Sequence, residues 1–163
     1  MKELTVMSPA FRNNEFIPPE YTCDGANVSP PLHIEGIPKE TQSLVLIMED
    51  PDAPHGTFDH WVVWNIPPFG LIKEDSVPGV EGLNSAGKPS YMGPCPPSGV
   101  HRYFFKVYAL DTKLDLGQTF GKKRVLEAMV GHVLAMGELV GRYTREKSHY
   151  DVYMPKEDEL KDS

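Results

Sequence analysis

The chain has 163 residues, a length that fits one domain over 1–163 with one sizeable core. Hydrophobic residues make up 40% and aromatic residues 10%, which marks a folded globule and excludes an intrinsically disordered chain. The net charge is −7 and the densest basic run is Lys122-Lys123-Arg124, which argues against a general nucleic-acid binder and against docking on an acidic membrane.

The chain opens on Met1-Lys2-Glu3-Leu4-Thr5, without the apolar centre of a signal peptide. No stretch approaches the roughly 18 apolar residues of a membrane span. The expectation is a cytoplasmic protein with no membrane insertion. Phe16-Ile17 precedes Pro18-Pro19, and Val28 precedes Ser29-Pro30-Pro31, a pattern of short strands and turns. Ser43-Leu44-Val45-Leu46-Ile47-Met48-Glu49 is a continuous apolar run of strand length and predicts a buried central strand. It stops at Asp50-Pro51-Asp52-Ala53-Pro54, where either proline can be cis.

A second strand is predicted over His60-Trp61-Val62-Val63-Trp64-Asn65-Ile66, which is rich in β-branched and aromatic residues. The 29 residues from Phe69 to Pro97 are rich in glycine and proline, and connections of that length often carry function. A third strand follows from His101 to Leu110. Thr119 is placed to cap a helix carrying Val125, Met129, Val133, Met136 and Val140 at helical spacing. A last short strand is expected over Tyr150-Asp151-Val152-Tyr153-Met154. Many strands with one late helix predict a mainly β protein, an antiparallel β-sandwich with one or two peripheral helices.

Polar residues able to do chemistry concentrate between Asp50 and His60 and between Gly93 and Tyr103. Alternation along a strand puts His60 on one face with Val62 and Trp64, and His101 on one face with Tyr103 and Phe105. Each histidine opens its strand beside a proline-rich turn. If the two strands are neighbours, both imidazoles reach one pocket at the sheet's end. Such a pocket suits phosphate, sulfate or carboxylate, because imidazolium and phenol donate hydrogen bonds and Gly93, Gly99 and the turn around Pro96-Pro97 can expose backbone N–H groups. Asp50 and Asp52 are expected to orient a histidine and keep it basic.

Two other chemistries use the same residues. Asp50, Asp52, His60 and His101 are ligand types for a metal, but no metal motif is present. Cys95 with His101 makes a thiol–imidazole pair without a third residue to orient the base, and Ser98 lies outside any nucleophile elbow. No cofactor is expected. Cys23 and Cys95 fit no zinc pattern and are expected as reduced thiols, a disulfide being the alternative in a hyperthermophile.

Two blocks carry a resemblance: Asp50-Pro51-Asp52-Ala53-Pro54 followed by His60-Trp61-Val62-Val63-Trp64-Asn65-Ile66-Pro67, and Gly93-Pro94-Cys95-Pro96-Pro97-Ser98-Gly99-Val100-His101-Arg102-Tyr103. With Tyr21-Thr22-Cys23-Asp24-Gly25, Val28-Ser29-Pro30-Pro31 and the segment from His132 to Gly141, they make the chain similar to the phosphatidylethanolamine-binding protein family, the Raf kinase inhibitor-like proteins, in its prokaryotic branch. The resemblance implies a β-sandwich with a small pocket for phosphate-like anions or a phosphorylated headgroup. Its lining here would be Asp50, Asp52, Pro54, His60, Gly93, Pro97, His101 and Tyr103. It implies action by binding, as a regulator of a kinase or a serine protease, and a possible homodimer. The chain departs from the animal members in its short Pro54-to-His60 connection, in Cys95 within the pocket loop, and in lacking a clear C-terminal flanking helix.

Overall fold

A computed structural model describes residues 1–146. In chain order its elements are β1 (Lys2–Glu3), β2 (Thr5–Met7), a 3-10 turn (Pro19–Tyr21), β3 (Leu32–Glu35), β4 (Ser43–Asp50), β5 (Phe58–Ile66), β6 (Leu71–Ile72), β7 (Val80–Glu81), β8 (His101–Leu110), α1 (Lys122–Met129) and β9 (Val133–Tyr143). The strand expected over Tyr150–Met154 lies outside the described residues.

Six strands form one sheet in the order β1-β9-β8-β4-β5-β7, and β2-β3-β6 form a second. The sandwich is mainly antiparallel as expected, but β1 runs parallel to β9. The apolar run of β4 is buried along its whole length, because β5 and β8 flank it and both faces are covered. On one face Leu44, Leu46, Met48, Trp61, Val63, Phe105 and Val107 pack with Leu4, Val6, Leu32, Ile34 and Ile72 of the small sheet and its approaches. On the other, Val45, Ile47, Val62 and Trp64 pack against Leu114, Val125 and Met129, the last two from α1.

The predicted helix is corrected. It begins after Gly121 rather than at Thr119, and it ends at Met129. The chain then turns through Gly131, whose φ of 83° suits glycine, and continues as an eleven-residue strand. Apolar residues four apart satisfy a helix, but four is also a multiple of the strand period of two. The glycines decide between the two readings. A side chain at Gly137 would collide with the Leu4 backbone, and one at Gly141 with Ile17 and Phe11. Both glycines admit close neighbours to a pleated surface. Among the described residues no peptide bond is cis, so Pro51 and Pro54 are trans.

The cysteine expectation is also corrected. Cys23 and Cys95 form a disulfide, with Cα atoms 5.5 Å apart across 72 residues of sequence.

Candidate functional site

The pocket is built at the end of the large sheet where β4 stops. β5 and β8 are not neighbours; β4 lies between them and contributes Asp50 to the gap. Strict alternation puts His60 on the face of Val62 and Trp64, opposite to His101, Tyr103 and Phe105. The register resolves this. Met48 pairs with Trp61 but Glu49 pairs with Asp59, so His60 is an extra residue, a β-bulge. The bulge carries Phe58 and His60 onto the Trp61 face, where the His60 ring meets Tyr103 edge-on at 5.3 Å between centroids. Bulges re-aim side chains in this way beside functional sites.

The resulting cavity has a volume of about 200 Å³. Asp50, Pro54, His60, Gly93, Pro97, His101 and Tyr103, seven of the eight residues expected there, line it. Asp52 does not. Its carboxylate accepts from the Arg102 backbone N–H and from Nε and Nη2 of the same residue, each at 2.9 Å. This pair pins the β4–β5 corner to the start of β8, and the guanidinium beside it holds the Asp52 carboxyl below the usual carboxylate range. Phe58, Ala53, Met92, Cys95 and Pro96 complete the lining. Of these, Ala53, Cys95 and Pro96 fall in the two blocks the sequence singles out, while Phe58 and Met92 are apolar and gave no signal.

Both histidines are fixed by their Nδ1 atoms. His101 Nδ1 lies 2.6 Å from Asp50 Oδ2, and Asp50 is only 3% exposed. The other carboxylate oxygen accepts the Asp52 backbone N–H at 2.8 Å. Burial, then the charge of Asp50, pushes the Tyr103 phenol well above its ordinary value. Asp50 is therefore a buried anchor that sets the rotamer and tautomer of His101.

His60 Nδ1 lies 2.6 Å from the Met92 carbonyl oxygen, which can only accept, so that nitrogen carries the proton. Met92 N–H returns a bond to the His60 carbonyl at 3.1 Å. Burial lowers the His60 pKa below its ordinary 6.5, against the Met92 hydrogen bond and the fields of Asp50 and Asp59, which raise it. With Nδ1 committed on both rings, Nε2 is the nitrogen left for a ligand. A neutral ring offers a lone pair there, and a protonated ring offers a donor.

Two expected donors are committed elsewhere. The Gly93 N–H goes to Asn27 Oδ1 at 2.9 Å, and the Gly99 N–H to Glu146 Oε1 at 2.9 Å. Gly93 is needed for close approach, since a Cβ there would run into Asn27 and the backbone of Tyr21 and Thr22. The segment carrying Met92 is thus fastened to the 19–27 segment. Tyr91 Oη donates to the Tyr21 carbonyl at 2.6 Å, Cys23 N–H to the Pro94 carbonyl at 3.1 Å, and the disulfide closes the same junction.

The sheet's opposite face carries a separate ion network. Glu49 meets both Lys106 and Lys122, and Lys122 also reaches Asp59 at 2.7 Å. It points away from the cavity, toward α1. Among the described residues no cluster of three or more His, Cys, Asp or Glu side chains is placed to hold a metal ion.

A two-sheet sandwich with a histidine-lined pocket at the end of its central strands defines a small class of proteins. The phosphatidylethanolamine-binding protein family model matches residues 7–144, and the chain belongs to that family. It is 51% identical over 150 residues to a UPF0098 protein of Methanothermobacter thermautotrophicus, covering 87% of this chain and 99% of that protein. A UPF0098 protein of Pyrococcus horikoshii is 50% identical over 151 residues, covering 86% and 76% respectively. Among solved structures, a putative phosphatidylethanolamine-binding protein homologue from Chlamydia trachomatis superposes with a TM-score of 0.86 at 41% identity, covering 90% of this chain and 100% of that one. Escherichia coli YbcL, described as a new member of the mammalian family, gives 0.80 at 30% identity, covering 87% and 98%.

Proposed function

We propose that the cavity binds a small oxyanion, phosphate or a phosphorylated headgroup, and that the protein acts by binding rather than by catalysis. One observation carries this reading. Two buried imidazoles from different strands are locked by their Nδ1 atoms and line one cavity of about 200 Å³. That volume admits a tetrahedral anion with a short substituent. Protonated at Nε2, His60 donates to the anion, and the anion in turn stabilises that proton. The walls of Phe58, Pro54, Met92 and Pro97 lower the local dielectric and strengthen the pair. Asp50 acts through His101 and does not itself face a dianion favourably. The resemblance to the Raf kinase inhibitor-like proteins is what suggests a regulatory role toward a kinase or a protease.

Nuclear magnetic resonance titration with inorganic phosphate and with phosphoethanolamine tests the ligand class. Saturable shifts centred on His60 and His101 are expected; shifts that map elsewhere, or none up to tens of millimolar, overturn the reading.

A second reading, a serine protease inhibitor acting through a surface loop, draws on the exposed Phe69, Leu71 and Val77 in the 69–97 stretch, which are 85%, 59% and 69% accessible. Inhibition of a protease panel that survives His101→Ala favours the loop; inhibition lost with His101→Ala favours the cavity. The metal-dependent hydrolase alternative gains no support, because Asp52 is committed to Arg102 and cannot join His60 and His101.

A further inference from the structure

The Cys23–Cys95 disulfide sits at the mouth of the cavity. Cys95 is a lining residue and is exposed, and Cys23 is partly exposed. The bond joins two irregular segments and no strand. One of them, 91–97, supplies Met92, Gly93, Cys95, Pro96 and Pro97 to the cavity wall. Met92 is also the residue that holds the His60 ring, through its carbonyl at 2.6 Å. The covalent tie to 19–27 therefore lies one short loop away from the tautomer and rotamer of a proposed ligand-binding histidine. The remaining ties across the junction are three neutral hydrogen bonds, Tyr91 to Tyr21, Cys23 to Pro94 and Gly93 to Asn27.

We propose that this disulfide is a redox latch on the cavity: oxidised it holds the 91–97 wall and His60 in the anion-binding arrangement, and reduced it lets that wall open. This rests on the reading of the cavity as an anion site. The reductant is a dithiol. Its thiolate attacks Sγ of Cys95, the more exposed residue of the pair, and expels the Cys23 thiolate, which takes up a proton. The second thiol of the reagent then attacks the mixed disulfide, releasing the Cys95 thiol and leaving the reagent as a cyclic disulfide. Two electrons pass from the dithiol to the protein, and each cysteine ends as a thiol. A bond between two surface loops, with Cys95 an exposed residue, is open to this exchange; a core disulfide would first need the sandwich to open. Once the bond is cut, the fraction of molecules with the wall in place falls, and apparent affinity falls in proportion.

Inorganic phosphate binding and amide hydrogen exchange are measured on the whole chain, oxidised and after treatment with dithiothreitol, with thiols counted in each. About tenfold weaker phosphate binding on reduction is expected, the result of a wall in place about one-tenth of the time. Exchange in 91–97 rises well above that of β4 and β8, whose own exchange speeds only by the loss of global stability that opening the 72-residue loop brings. The double variant Cys23→Ser, Cys95→Ser in oxidising buffer reproduces the reduced form. Equal affinity and equal exchange in both states overturn the latch, since the three hydrogen bonds then suffice. Strands and loop exchanging at one common rate on reduction also overturn it, because the wall then opens only with the whole sandwich. Faster exchange at 91–97 with no phosphate binding in either state upholds the latch and removes the anion reading alone.

Discussion

Replacing Asp50 by asparagine isolates the role of the buried anchor. The change keeps size and shape, and Asn Oδ1 can still accept the Asp52 N–H now made at 2.8 Å. The amide Nδ2 cannot accept, yet it faces the His101 Nδ1 that lies 2.6 Å from the native oxygen. Two donors meet, and the charge-assisted bond is lost. A bond of that type contributes roughly 1.5–3 kcal/mol, and a buried donor left unpaired costs about as much again. Part is recovered if His101 changes tautomer, so that Nδ1 accepts from the amide and Nε2 carries the proton. The net expectation is a loss of about 2 kcal/mol, or roughly 4–8 °C in Tm for a chain of this size. Urea unfolding with the slope checked for constancy gives the stability. The ring 15N shifts of His101 give the tautomer, and they are expected to exchange Nδ1 and Nε2 character. Asp50→Ala, which leaves the Asp52 N–H and His101 without that carboxylate, is expected to cost more, about 3–5 kcal/mol. If Asp50→Asn shifts stability by less than about 0.5 kcal/mol and leaves the His101 shifts in place, the carboxylate is not the anchor that its burial implies.

Three further outcomes follow from the same geometry. Phosphate affinity should weaken between pH 5.5 and 7.5, because burial already lowers the His60 pKa and the donor at Nε2 exists only on the protonated ring; calorimetry in buffers of different ionisation enthalpy should show proton uptake, and pH-independent binding without uptake would contradict the scheme. In the absence of ligand the sign reverses: with the folded pKa below the unfolded 6.5, the His60 contribution to stability is present above pH 6.5 and is lost as pH falls through the folded value, which the pH dependence of Tm in wild type against His60→Gln can read. Gly93→Ala places a methyl group against Asn27 and the Tyr21 and Thr22 backbone, so a loss of about 1–3 kcal/mol is expected together with a shifted His60 resonance; a neutral substitution would mean that the junction is looser than it is drawn. Removing the disulfide frees a 72-residue loop in the unfolded chain and should lower stability by about 4 kcal/mol by chemical denaturation, and a change under about 1 kcal/mol would show that the unfolded state is already constrained there.

Residue patterns alone specify features that are local, or spread over whole segments. The unbroken apolar run of β4, of strand length and closed by a proline-rich corner, marks a strand buried on both faces. Proline-rich punctuation marked where β4 and β5 end, and the two blocks around Asp50–Ile66 and Gly93–Tyr103 named seven of the residues that line the cavity. Tertiary structure decided the rest, because it depends on partners far apart in the chain. His60 and His101 share a face only because an extra residue in β5 reverses the alternation, and a bulge exists only relative to the strand beside it. Asp50 and Asp52 are alike in sequence, but one meets His101 across 51 residues and the other meets Arg102 across 50. The span from 133 to 143 became a strand because β8 offered it an edge and Leu4, Ile17 and Phe11 required glycine opposite them. Cys23 and Cys95 joined because the fold brought two loops to the pocket's mouth, within disulfide reach.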